Sequence, residues 1–297
     1  MKTVKENGQL AVVAKRQLAK LGTDQKNNIL AVCAKALRDN AEFIVGENAK
    51  DMENAKNNNM PQGLQDRLML NVERVNAMAE GLELIEKLPD PIGEVLDMRT
   101  LPNGLTVGQK RVPMGVIGII YEARPNVTSD AFGLCLKAGS AVILRGGSDA
   151  IHSNIATVSV FRKAIEGLGY NPDFVQLVED TTRASSTEMM TLNDYIDMLI
   201  PRGGKGLIQS VVKNATVPVI ETGVGNCHIY MDESGKIDDG VNIIVNAKAQ
   251  RVGVCNAAET LLVHKNIAKE YLPKAISALR EKGVEIRGDQ RVAEIVP

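Results

Sequence analysis

The 297-residue chain is 44% hydrophobic and 24% charged, an ordinary globular composition with length for about two domains. Its 35 lysines and arginines against 36 acids leave a net charge of −1, with no basic run, no Trp and 3% aromatics, which excludes a nucleic-acid partner from the expectations. No apolar run approaches the ~20 residues of a membrane helix, and MKTVKENGQL lacks the apolar core of a signal peptide, so the expectation is a cytoplasmic protein with no membrane partner.

The first ninety residues read as helical. Ile29, Val32, Cys33, Ala36 and Leu37 recur at helical spacing, and so do Leu68, Val72, Val75, Met78, Leu82 and Ile85. Asn57-Asn58-Asn59, Pro61 and Gly63 break the region, and Pro89 with Pro91 ends it. Residues 95–112 read as a hairpin about the turn Pro102-Asn103-Gly104. The hairpin is a candidate oligomerisation arm.

From residue 115 the pattern becomes strand and helix in alternation. Apolar runs at 115–120, 141–144, 174–178, 195–200 and 217–220 alternate with helical stretches that include 130–138, 150–166 and 204–213. Ser129 suits an N-cap and Gly139 a C-cap. Continuous apolar strands separated by helices predict an α/β fold with a parallel sheet covered on both faces. Ligands of such sheets bind at the carboxyl ends of the strands. After 227 the alternation restarts: strand 227–231, helix 237–249, strand 259–264, helix 267–282 and strand 284–287. The expected division is 1–226 for the helices and first sheet, and 227–297 for the opening of a second α/β domain.

Neither GxGxxG nor the phosphate loop GxxxxGK[ST] is present, and there is no GxSxG. Gly203-Gly204-Lys205-Gly206 follows a strand and opens a helix. Its amides suit a phosphate, or it is only a tight turn. Arg145-Gly146-Gly147-Ser148 follows another strand; Arg145 suits a phosphate, or is a solvated arginine in a glycine turn. The four cysteines and three histidines form no CxxC pair and no metal cluster. Cys33 and Cys135 fall among apolar helix residues and read as core. Cys227 opens a strand and is ambiguous. Cys255 lies on a loop between a helix and a strand, where a thiol is exposed and activated more readily than in a core, although packing is the commoner use of a cysteine. Glu221 ends the 217–220 run and is either an acid/base carboxylate or a surface residue before a turn.

Five segments together resemble the aldehyde dehydrogenase superfamily. They are Gly118 to Asn126 (GIIYEARPN), Leu136 to Ser148 (LKAGSAVILRGGS), Ile200-Pro201-Arg202-Gly203-Gly204, Glu221-Thr222-Gly223, and Gly253-Val254-Cys255-Asn256. Their order matches the superfamily, and Cys255 follows Glu221 by a matching 34 residues. The wording YEARPNVT, LRGGSDA and VGVCNAAE is similar to the gamma-glutamyl phosphate reductase (glutamate-5-semialdehyde dehydrogenase) family, across essentially the whole chain.

The resemblance implies NADPH-dependent reduction of L-glutamyl 5-phosphate to glutamate 5-semialdehyde and phosphate in proline biosynthesis. Cys255 is then the nucleophile that forms a thioester, and Asn126 with the Cys255 amide holds the oxyanion. Glu221 either assists deprotonation of the thiol or supports structure. Arg145, Gly146, Ser148, Gly203 and Gly204 bind NADP, and Arg124 and Arg251 bind the substrate's phosphate or carboxylate. Relatives that use NAD carry a ribose-binding glutamate where Ser148 stands; the neutral Ser148 beside the cationic Arg145 favours NADPH. The resemblance also implies a homo-oligomer for the full-length protein, a functional association with glutamate 5-kinase, and a catalytic domain that is C-terminally incomplete in these 297 residues. Two other readings stand beside it: a nucleotide-binding α/β phosphotransferase, and an inactive fragment that only binds cofactor or a partner subunit.

Overall fold

In the computed structural model, residues 2–223 and 225–297 are described. Helix α1 (Val4–Leu18) starts at a reciprocal cap: Thr3 Oγ1 accepts from the Glu6 amide, and the Glu6 carboxylate accepts from the Thr3 amide. Four more helices follow: α2 (Thr23–Asp39), α3 (Ala41–Asn57), α4 (Gln62–Leu68) and α5 (Val72–Lys87). The stripe on α2 is Ile29, Leu30, Cys33, Ala34 and Leu37, and that on α5 is Val75, Met78, Ala79, Leu82 and Ile85. The break falls at 58–61, where Asn59 turns with φ 52°. Gly63, expected in that break, lies inside α4.

Strands β1 (Val95–Thr100) and β2 (Thr106–Lys110) pair antiparallel as a hairpin exposed along its whole length. It carries Leu96, Met98, Leu105 and Val107 into solvent.

The central sheet holds β3 (Val116–Tyr121), β4 (Ala141–Arg145), β5 (Val175–Leu177) and β6 (Met198–Arg202). All pairs are parallel, in the order β5-β4-β3-β6. Along β3 the faces alternate. Ile117, Ile119 and Tyr121 enter the core shared with α2, α5, α6 (Pro125–Lys137) and α7 (Ile151–Gly167). Val116 and Ile120 enter the core on the other face, with residues of α1, α8 (Arg183–Met190) and α9 (Lys205–Asn214). Gly118 belongs to this second face, where a Cβ would lie 2.6 Å from Leu199 Cδ2. Burial on both faces explains the uninterrupted apolar run of the strand.

Three local expectations need correction. Ser129 is not an N-cap. Pro125 starts the helix one turn earlier, and Ser129 Oγ donates to the Asn126 carbonyl from within α6. The 217–220 run forms a single parallel bridge, Val219 to Leu199, because Pro218 has no N–H to extend a ladder. Residues 284–287 form no strand; Val284 and Ile286 pack on the neighbouring core without a strand partner among the described residues. Gly139 does terminate α6, at φ 64°. Its amide donates to Leu136 O and that of Ser140 to Cys135 O, the double bond pattern of a left-handed helix end.

The chain divides into two compact units, Met1–Thr222 and Gly223–Pro297. The second is built from β7 (Cys227–Met231), α10 (Ile237–Ala249), β8 (Ala258–Val263), α11 (Ala268–Glu281) and α12 (Gln290–Ile295). Strands β7 and β8 pair in parallel. Its core is Met231, Ile244, Ala258, Tyr271, Ala275 and Leu279, with Tyr271 OH donating to the Gly240 carbonyl.

Candidate active site

In the first unit, the functional candidates gather where the parallel strands end. Strand β3 delivers Glu122, Arg124, Pro125 and Asn126 in succession. Arg124 caps α6 and Pro125 starts it, its missing N–H being no loss in a first helical turn. Asn126 is exposed in that turn, and its Nδ2 donates to Asp130 Oδ2 at 3.1 Å. Burial raises the Asp130 pKa above the ordinary carboxylate value, partly offset by this bond.

Strand β4 delivers Arg145-Gly146-Gly147-Ser148. Arg145 is neither free in solvent nor turned outward: its Nη2 donates to the carbonyls of Thr181 (2.6 Å) and Thr182 (2.8 Å), just past β5. Its Nε is buried without a partner, and desolvation lowers its pKa against the pull of Asp180. Gly146 is buried, and a Cβ there would lie 2.2 Å from Asn154 Nδ2. Ser148 is exposed and opens a single 3₁₀ turn, Ser148–Ala150, ahead of α7.

Strand β6 delivers Gly203 and Gly204, the latter the N-cap of α9. The first partner of that helix end is an internal carboxylate. Glu122 Oε1 accepts from the Gly204 amide at 2.8 Å, and a Cβ on Gly203 would meet Glu122 Cδ at 2.7 Å. On its other side, a Cβ on Gly147 would lie 3.6 Å from the Ala123 amide nitrogen. The segment Glu122-Ala123 therefore lies between the two glycine turns. The strand order runs outward from β3 through β4 to β5 and then returns to β6 on the other side of β3. A reversal of this kind leaves a crevice at the carboxyl ends, which is where open α/β sheets bind ligands.

In the second unit, Cys255 sits in a turn between α10 and β8 and is exposed. Cys227, at the start of β7, is half-buried, and its Sγ donates to the Cys255 carbonyl at 3.6 Å. A Cβ on Gly225 would lie 2.4 Å from the same carbonyl, so the backbone passes there only as glycine. Arg251 is exposed on the approach to this turn. The other two thiols are core: burial pushes Cys135 up to about 12 and Cys33 further still. No group of three or more His, Cys, Asp or Glu able to hold a metal occurs among the described residues, nor a helix long and apolar enough to cross a membrane.

The family model for aldehyde dehydrogenases matches residues 1–292. The chain belongs to the aldehyde dehydrogenase family. Within this family it is 55% identical over 290 residues to a gamma-glutamyl phosphate reductase of Lachnospira eligens, covering 98% of the chain and 70% of the relative. A Clostridium botulinum protein of the same name is 56% identical over 296 residues, covering 100% and 72%. The crystal structure of gamma-glutamyl phosphate reductase from Thermotoga maritima superposes with a TM-score of 0.89 at 45% identity, covering 100% of this chain and 72% of that one.

Of the residues expected from the sequence of this aldehyde dehydrogenase-family chain, Arg124, Asn126, Arg145, Gly146, Ser148, Gly203 and Gly204 all lie at one edge of one sheet. Glu221 is exposed just beyond the Val219 bridge. Cys255 and Arg251 belong to the second unit. Four residues that contact these candidates, Glu122, Thr181, Thr182 and Asn154, were not singled out from the sequence. Glu122 lies inside the motif segment, but its partner is 82 residues away. The carbonyls of Thr181 and Thr182 carry no side-chain signature. Asn154 reads as an ordinary polar residue of an amphipathic helix until its burial is known.

Proposed function

We propose that the chain acts as a gamma-glutamyl phosphate reductase, converting L-glutamyl 5-phosphate and NADPH to glutamate 5-semialdehyde, phosphate and NADP⁺ in proline biosynthesis. The observation that carries the reading is 55% identity to a relative of that name across 98% of the chain. The first unit is then the cofactor domain and the second carries the nucleophile.

The first unit suits a dinucleotide: two glycine turns flank Glu122-Ala123 at a strand-order reversal, with the Ser148 hydroxyl exposed at the rim. When bound, NADPH supplies the hydride. Gly146 allows close backbone approach, and the neutral Ser148 leaves room for the additional 2′-phosphate that a carboxylate there would repel. Arg145 contributes positive charge while its Nη2 remains committed to Thr181 and Thr182. A phosphate reaching the amides of α9 displaces the Glu122 carboxylate from Gly204.

Cys255 is the nucleophile. Its thiolate forms a C–S bond to the acyl carbon as the C–O bond to phosphate breaks, leaving a thioester and free phosphate. Asn126 Nδ2 donates to the oxyanion, a single such donor typically contributing about 3 kcal/mol. Glu221 is the candidate acceptor of the thiol proton, and Arg124 and Arg251 are the candidate partners of the substrate's phosphate and carboxylate.

The test is the reverse reaction, NADP⁺ reduction by glutamate 5-semialdehyde followed at 340 nm with and without inorganic phosphate. Phosphate-dependent turnover that disappears in Cys255→Ala is expected. Turnover surviving in Cys255→Ala refutes the covalent mechanism, and a folded chain that binds NADP⁺ without turnover favours the binding-only reading.

A further inference from the structure

A hydrogen-bond chain runs beneath the cofactor edge of the first unit, through three side chains with no access to solvent. Tyr121, the last residue of β3, is 1% exposed; Thr128 on α6 and Asn154 on α7 are each 0%. Tyr121 OH lies 2.7 Å from Thr128 Oγ1, and Thr128 Oγ1 donates to Asn154 Oδ1 at 2.8 Å. A hydroxyl has one proton, so the direction is fixed. Thr128 spends its proton on Asn154, and Tyr121 therefore donates to Thr128. The Asn154 amide stands with its oxygen toward Thr128 and its Nδ2 toward the β4 turn. That Nδ2 is buried and has no hydrogen-bond partner. Against it lies Gly146, where a Cβ would fall 2.2 Å from Asn154 Nδ2 and 3.2 Å from Tyr121 Cζ.

The geometry thus joins two segments that are remote in sequence. Thr128 lies two residues beyond Asn126 in the first turns of α6, and Asn154 forms the floor under Gly146. Buried side-chain hydrogen bonds rigidify what they connect, and Asn154, held at Oδ1 by Thr128, packs its Nδ2 against Gly146. We infer that Tyr121, Thr128 and Asn154 are positioning residues that hold the Asn126 turn and the Gly146 loop in one fixed relation, so that a change at Thr128 is felt at the cofactor loop. The functional half of this inference rests on the reductase reading; the mechanical half does not.

The closing experiment separates the halves. Hydrogen–deuterium exchange is measured on the full chain for segments 125–130 and 145–148, and NADPH affinity is titrated alongside. Thr128→Val preserves shape and removes the relay, while Thr128→Ser keeps the hydroxyl. In Thr128→Val both segments are expected to exchange faster, with NADPH binding weakened up to about tenfold, the scale of one lost hydrogen bond. Thr128→Ser is expected to restore both. Faster exchange confined to 125–130, or equal behaviour of the Val and Ser variants, overturns the relay. If Thr128→Val does not fold, Tyr121→Phe removes only the first donor and must still loosen both segments, or the inference falls. Coupled exchange in a chain that binds no NADPH leaves the relay standing and counts against the cofactor reading instead.

Discussion

Gly146→Ala offers a test of the packing beneath the Gly146 loop. Gly146 does not have positive φ, so alanine carries no backbone strain there, and the whole cost comes from the new methyl. That methyl would meet Asn154 Nδ2 at 2.2 Å, well inside van der Waals contact. Asn154 is fully buried and held at Oδ1 by Thr128, so it cannot swing away without breaking the relay. Overpacking of this kind costs about 1–3 kcal/mol. For a folding unit of this size the melting temperature falls ~2–4 °C per kcal/mol, so a drop of roughly 4–8 °C is expected for a cost near 2 kcal/mol. Gly203→Ala is the control. Its methyl meets two side-chain ends, the exposed Glu122 carboxylate and Leu207 Cδ2 at 2.8 Å, so the expected loss is about 0.5–1.5 kcal/mol for the Gly204 hydrogen bond plus a small shift of Leu207, below that of Gly146→Ala. Differential scanning calorimetry of the two variants, with Gly146→Ala repeated in an Asn154→Ala background, completes the cycle. A Gly146→Ala variant melting within about 1 °C of the parent, or costing as much without Asn154 as with it, would refute the argument.

Three further outcomes are expected. Iodoacetamide on the folded chain should modify exposed Cys255 first and half-buried Cys227 next, with Cys33 and Cys135 protected by burial, as read by peptide mass spectrometry; early labelling of either core thiol would contradict the packing. Ser148→Glu should lower kcat/KM with NADPH by about tenfold or more while sparing NADH, because a carboxylate at this exposed position repels a 2′-phosphate; an unchanged cofactor ratio would remove Ser148 from cofactor discrimination. Asp51 is buried and accepts from the amides of His152 and Ser153 and from Ser153 Oγ, and burial raises its pKa. Between the ordinary carboxylate value near ~4 and the raised one, the folded chain keeps a proton that the unfolded chain releases, so this group's contribution to stability falls as pH rises through that window. Melting curves across the window should show Asp51→Asn flattening that slope; an unaltered slope would mean that Asp51 titrates normally.

The sequence by itself determined most of the order of elements, because hydrophobic period and cap chemistry are local. Alternation after residue 115 gave the strands and helices of the sheet, and Gly139 marked the end of α6 because only a left-handed turn suits that position. Its motif wording also pointed to the family through Asn126, Arg145, Glu221 and Cys255. Local pattern failed where a neighbour decided the outcome. Residues 284–287 have strand composition, but a strand requires a partner backbone, and Pro218 limited its segment to one bridge. Tertiary structure alone decided what the site residues touch. The pairing of β3 with β6 brought the Glu122 carboxylate onto the Gly204 amide, and the segment beyond β5 holds the Arg145 guanidinium through two backbone carbonyls. Burial turned Asn154, one polar residue among many on its helix, into the floor of the Gly146 loop. Hydrogen-bond partners 26 to 82 residues apart are set by sheet order and packing, which no local period encodes.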